Sequence, residues 1–227
     1  MFGEINLPGD APIVSLIAGL IDESGSMTGV KLETIGGYNS FIESIRKEQE
    51  GKIAFVSTFL FDSDANRPIM RILRDSVPIV SVKPITDSEY NPSGMTPLYD
   101  AIGKAIESID AAVKANSVTK VTFLIQTDGQ ENCSREFTKD VIKKLIEARI
   151  KLGWQIVFLG ADLSQAPEIG RGLGVMAANS MSYSKGATGQ TFNMMSASTR
   201  SYRGSVTASA AITLSDAEKA ELAKAKS

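Results

Sequence analysis

Pro12-Ile13-Val14-Ser15-Leu16-Ile17-Ala18-Gly19-Leu20-Ile21 runs directly into Asp22-Glu23-Ser24-Gly25-Ser26-Met27, and this passage decides the fold. The first ten residues are almost continuously apolar, as expected of a strand covered on both faces. The polar hexapeptide that ends the strand is followed by Leu32, Ile35, Tyr38, Phe41, Ile42 and Ile45, a three-to-four-residue recurrence that puts them on one helix face. A buried strand feeding an amphipathic helix is the opening of a βαβ unit.

The alternation continues outward. Ile53 to Phe61 reads as a second buried strand, and Leu98, Ala101, Ile102, Ala105, Ile106, Ile109 and Val113 form the cleanest helical stripe. Val121 to Ile125 is a strand, and Phe137, Val141, Ile142, Leu145 and Ile146 mark the next helix. Gln155 to Leu159 and Val175 to Ala178 read as two further strands, and Thr191 to Tyr202 as the last helix, with Phe192, Met195, Ser196 and Thr199 on one face. Arg67 to Pro84 breaks the pattern. Its prolines 68, 78 and 84 suit an edge, because proline cannot donate to a ladder. The expected fold is therefore α/β, a doubly wound, mostly parallel sheet with helices on both faces and one antiparallel edge strand. Residues 1–10 read as an N-terminal extension, 11–203 as the domain, and 204–227 as a C-terminal tail. In that tail the capping-box pattern Ser215-Asp216-Ala217-Glu218 opens a short helix, either frayed or docked on another chain. Gly170-x-Gly172-x-Gly174 precedes a strand, the wrong context for a nucleotide loop, and reads as a helix-to-strand turn.

Composition excludes whole classes of chemistry. The 227 residues contain no histidine, which removes His-based acid–base catalysis, Ser-His-Asp and Cys-His nucleophiles and His-liganded zinc. A formal charge of −2 without a basic cluster argues against nucleic acid. The longest apolar stretch falls short of the roughly 18 residues a membrane helix needs, and no signal peptide is legible. One cysteine cannot form an intramolecular disulfide; Cys133 reads as a plain free thiol, and a cytoplasmic protein is expected.

Three loops carry candidate chemistry at the carboxyl ends of successive elements, where ligands bind in such sheets. The first is Asp22-x-Ser24-x-Ser26. The second, Asn91-Pro92-Ser93-Gly94-Met95-Thr96-Pro97, also admits a plain reading of Thr96 as helix cap before a proline. The third is Thr127-Asp128-Gly129. Together they offer the hydroxyls of Ser24, Ser26 and Thr96 and the carboxylates of Asp22 and Asp128. An all-oxygen set with two negative charges suits Mg²⁺, with Mn²⁺ or Ca²⁺ as substitutes; an open coordination position would accept a carboxylate from another molecule. Glu23, Asp62 and Glu131 read as solvated loop residues.

These three motifs, in this order and strand–helix context, resemble the von Willebrand factor A domain with its metal-ion-dependent adhesion site, over roughly residues 10 to 203. The Asp-Glu-Ser-Gly-Ser-Met variant and Phe158-Leu159-Gly160-Ala161-Asp162 look most like stand-alone bacterial and phage members, which are intracellular or particle-associated. The resemblance implies that Ser24, Ser26 and Thr96 ligate Mg²⁺ through their hydroxyls, directly or when ligand is bound, while Asp22 and Asp128 act directly or through water. It implies a non-enzymatic module whose protein partner supplies an Asp or Glu. A structural subunit of a larger, for example phage, assembly is the alternative. Mg²⁺-dependent phosphoryl transfer is a third reading; against it, serines stand where an acidic nucleophile pair would be, and no Walker lysine is present.

Overall fold

The computed structural model describes residues 13–47, 52–65 and 68–205. The element order is β1 (Val14–Asp22), α1 (Lys31–Arg46), β2 (Ile53–Phe61), β3 (Met70–Pro78), α2 (Leu98–Ala115), β4 (Lys120–Thr127), α3 (Lys139–Lys151), β5 (Gln155–Ala161), α4 (Ala166–Gly172), β6 (Ser180–Tyr183) and α5 (Thr188–Gly204). The six strands form one sheet in the order β3-β2-β1-β4-β5-β6. All neighbours are parallel except β3, which runs antiparallel to β2 at the edge with register shifts around Thr58. This is the doubly wound, Rossmann-like α/β arrangement expected from the alternation.

Strand pleating sends alternate residues of each apolar run to opposite faces, which explains the unbroken hydrophobicity. Ile17, Ile21, Leu124 and Val157 pack under α1 and α5 with Tyr38, Phe41, Phe192 and Met195. Leu16, Leu20, Phe123 and Ile156 pack under α2 and α3 with Leu98, Ile102, Ile106, Ile142 and Ile146. The chain leaves β1 for β2 on one side and reaches β4 on the other. The carboxyl ends of β1 and β4 therefore flank the point where the strand order reverses, and a crevice forms there.

Several expectations need correction. Leu32 lies off the buried stripe of α1 and is exposed, as is Val141 in α3. The extended edge stops at Pro78; a 3-10 turn over Ile79–Ser81 leaves Val80 exposed and buries Ile79 and Val82. The run Val175 to Ala178 is not a strand: Val175 is buried beyond α4, Met176 is 38% exposed, and a 3-10 turn follows over Ala177–Asn179. The strand is the more polar Ser180–Tyr183, registered on β5 from Phe158–Ser180 to Ala161–Tyr183. As a short edge strand it needs few large apolar side chains, so periodicity pointed to the wrong tetrapeptide. Gly174 (φ +85°) forms the turn after α4, as the glycine spacing suggested. The 1–10 extension and the Ser215–Glu218 capping box lie outside the described residues.

Candidate functional site

Strand β1 delivers Asp22 to the crevice floor, fully buried. Its Oδ1 accepts the Ser24 N–H at 2.7 Å, and its Oδ2 accepts the Thr127 hydroxyl at 2.5 Å. The Tyr90 hydroxyl donates to the Asp22 carbonyl at 2.6 Å, fixing the backbone from below. Ser24 Oγ lies 3.2 Å from Ser26 Oγ, and the Ser26 hydroxyl donates to Asp128 Oδ1 at 2.6 Å. Side-chain oxygens of the first and third loops thus form one continuous chain at the β1/β4 switch point.

The second loop is held against both. Gly25 N–H donates to the Gly94 carbonyl (3.1 Å), and Ser93 N–H donates to the Glu23 carbonyl (2.8 Å). Gly94 adopts φ +66°, and a Cβ there would lie 2.9 Å from the Asp64 nitrogen, so both conformation and space require glycine. Thr96 is 3% exposed. Its N–H donates to Asn132 Oδ1 at 2.9 Å, and its carbonyl accepts the Asn132 N–H at 3.2 Å. A Cβ on Gly129 would come 3.0 Å from Thr96 Oγ1, which places that hydroxyl against the backbone of the residue that follows Asp128. All five expected residues are therefore drawn into one neighbourhood.

Thr96 does not cap α2. Pro97 occupies the cap position, with no side-chain cap bond. The first-turn amides are satisfied by the third loop instead: Tyr99 N–H donates to Glu131 Oε2 (2.9 Å) and Asp100 N–H to Ser134 Oγ (3.1 Å). Glu131 also accepts the Cys133 and Ser134 N–H groups, so it organises the loop rather than sitting solvated. Glu23 is likewise buried, its carboxylate held by Arg71 Nη2 at 2.8 Å and by the Asn91 N–H. Asp62, 1% exposed, receives the Asp64 N–H, and its Oδ2 lies 3.1 Å from Ser93 Oγ. These three acids sit next to glycine- and serine-rich loops that need acceptors for their amides, which a pattern of residue types does not reveal. Asp100 went unnoticed in the sequence; fully buried, it accepts the N–H groups of Arg135, Glu136 and Phe137. Cys133 is half-buried, and burial pushes its thiol up.

Burial pushes the Asp22 carboxyl up to about 6, only partly opposed by the Thr127 and Ser24 hydrogen bonds, and the Asp128 charge adds to the rise. No lysine or arginine among the described residues bonds Asp22. The site accordingly concentrates oxygen donors and carboxylate charge, and the charged form of Asp22 lacks a cationic partner. Among the described residues no group of three or more His, Cys, Asp or Glu is placed to hold a metal by itself. No helix of the described residues is long and apolar enough to cross a membrane.

No family model matches the chain, and no curated protein matches it. Solved structures do match. Proximal thread matrix protein 1 from the mussel byssus aligns with a TM-score of 0.55 at 15% identity, over 82% of this chain and 46% of that one. The pilus adhesin SpaC from Lactobacillus rhamnosus GG, in an open conformation, aligns at 0.59 and 13%, over 86% and 30%. The PilB minor pilin from Streptococcus sanguinis aligns at 0.60 and 11%, over 86% and 63%. This chain spans less than two thirds of each of these proteins, and at such identities the likeness concerns the fold.

Proposed function

We propose that the chain is a protein-binding module of the von Willebrand factor A type, which engages a partner's Asp or Glu through Mg²⁺ held by Asp22, Ser24, Ser26, Thr96 and Asp128. One observation carries the reading: the Ser24–Ser26–Asp128 oxygen chain meets a buried Asp22 whose charge no basic side chain offsets. The donor set fits the ion, since it is all hard oxygen and its two carboxylates balance one divalent charge. Bound there, Mg²⁺ would supply the positive charge that a partner's carboxylate pairs with.

The protein's own residues do the rest. Thr127 and the Ser24 amide orient the Asp22 carboxylate. Ser26 and Asp128 hold each other at the crevice rim, where Gly25 and Ser26 are exposed. The Asn132 pair keeps Thr96 in place. The structural neighbours, an adhesin, a minor pilin and a thread matrix protein, agree with a binding rather than a catalytic role. The lack of histidine supports the same view, and the single cysteine supports a cytoplasmic location.

The test is calorimetric titration of Mg²⁺ into the wild type and Asp22→Ala, with circular dichroism as the folding control, followed by pull-downs in Mg²⁺ and in EDTA. Mg²⁺ binding and Mg²⁺-dependent capture that both vanish in the variant support the reading. Equal Mg²⁺ affinity in a folded Asp22→Ala overturns it.

A further inference from the structure

Beside the crevice, a groove runs between the start of α2, the third loop, the start of α3 and α4. It consists of two adjoining cavities of about 160 and 460 Å³ that share Tyr99, Glu131 and Lys139 as walls. The smaller is also lined by Leu98 and Gln130, each two residues from a proposed metal ligand, Thr96 and Asp128. The larger is lined by Asn132, whose side chain accepts the Thr96 N–H, so the groove lies beside the loops that carry Thr96 and Asp128, within reach of chain that leaves the crevice on that side.

The charges in the groove are unequal. Glu131 already accepts the N–H groups of Tyr99, Cys133 and Ser134 and the Ser134 hydroxyl, so its charge is spent inside the protein. Lys139 is exposed and forms no ion pair among the described residues, whereas nearby Lys104 and Arg149 both do. It is also the first residue of α3, the end of a helix where a cation is disfavoured. Its ammonium reaches over α4, so that a Cβ on Gly172 would lie 3.0 Å from Nζ. A lysine stretched across a cavity mouth, against the helix dipole and without an acidic partner, is complementary to an anion arriving from outside. Tyr99, half-buried, has its phenol pushed up by burial and by Glu131; it stays protonated and can donate to the same anion.

We propose that this groove receives the stretch of partner chain flanking the carboxylate bound at the crevice, and that this stretch carries a second acidic residue, which pairs with Lys139. The proposal rests on the binding function proposed above and specifies its partner: a diacidic segment, with the two acids separated by the span from Asp128 to Lys139.

The experiment probes the labelled full chain on an array of synthetic octapeptides. Each has one fixed Asp, and every other position is scanned through Ala, Lys and Glu, in Mg²⁺ and in EDTA. Retention that requires both Mg²⁺ and the fixed Asp, and that rises about fivefold when Glu replaces Ala at one offset, is the expected result. Lys139→Glu, at an exposed position whose folding is checked by circular dichroism, should move the preference at that offset from Glu to Lys. Mg²⁺-dependent retention with no acidic preference, or with a preference that Lys139→Glu leaves unchanged, overturns the groove assignment and spares the metal site. Loss of all Mg²⁺ dependence in the wild type overturns both.

Discussion

Replacing Asp22 by Asn should stabilise the metal-free protein at neutral pH while removing its response to Mg²⁺. Burial raises the Asp22 carboxyl in the folded chain to about 6, against an ordinary 3.8. Between those values the folded state binds more protons than the unfolded one, so stability falls as pH rises through the window, and the full penalty persists above it. At 1.36 kcal/mol per pH unit, the gap from 3.8 to about 6 corresponds to about 3 kcal/mol. Asn keeps the shape and can satisfy the same partners: its Oδ1 accepts the Ser24 N–H, and its amide donates to Thr127 Oγ1, whose own proton turns to the Gly129 carbonyl. Urea denaturation of wild type and variant in EDTA from pH 4 to 8 should therefore show curves that coincide near pH 4 and diverge by up to about 3 kcal/mol above pH 6, roughly 6–12 °C in Tm. Mg²⁺ at a hundredfold over its Kd should restore about 2.7 kcal/mol to the wild type and nothing to the variant. A variant that is less stable than wild type at pH 7 in EDTA would refute the reasoning, because it would mean that the carboxylate's hydrogen bonds outweigh its desolvation.

Thr96→Ala should leave Tm nearly unchanged, since Thr96 caps no helix, and should weaken Mg²⁺ or partner binding by about tenfold or more, read by calorimetry and pull-down. Asp100→Ala strands three buried or part-buried N–H groups and should lower stability by at least about 3 kcal/mol in a urea melt, with loosening of the third loop seen as faster amide exchange at 135–137. Arg71→Met leaves the Glu23 carboxylate buried without its cation and should cost about 3 kcal/mol; Glu23→Gln in the same chain should recover part of it, a coupling measured as a double-mutant cycle.

The sheet was legible because both of its faces are covered, so each central strand announces itself as an apolar run and each helix as a stripe. The β6 segment was not legible, because an edge strand over α4 is specified by pairing to β5 and not by hydrophobicity. The five crevice residues could be named because their types recur at fixed places after strands β1 and β4 and before α2. Their supporting cast was invisible for a physical reason. Glu23, Asp62, Asp100 and Glu131 act by accepting backbone N–H groups across loops, contacts up to 68 residues apart in the chain that have no period or spacing. Thr96 shows the converse: Thr-Pro before a helix satisfies the local rule for a cap, yet Glu131 and Ser134 take over that task and leave its hydroxyl for the crevice.

The paired bonds between Thr96 and Asn132 have a mechanical consequence. With Glu131 and Ser134 clamped to the first turn of α2, and Asp100 clamped in return to residues 135–137, the second and third loops are riveted into one plate that includes the head of that helix. The loop after β1 is tied to this plate by Gly25 to Gly94, Ser26 to Asp128, Glu23 to Asn91 and Ser93, and Asp22 to Thr127. On the binding role proposed above, a pull on a bound partner would be shared between the loop after β1 and this plate, and through the plate with the whole of α2, instead of peeling the loops away singly.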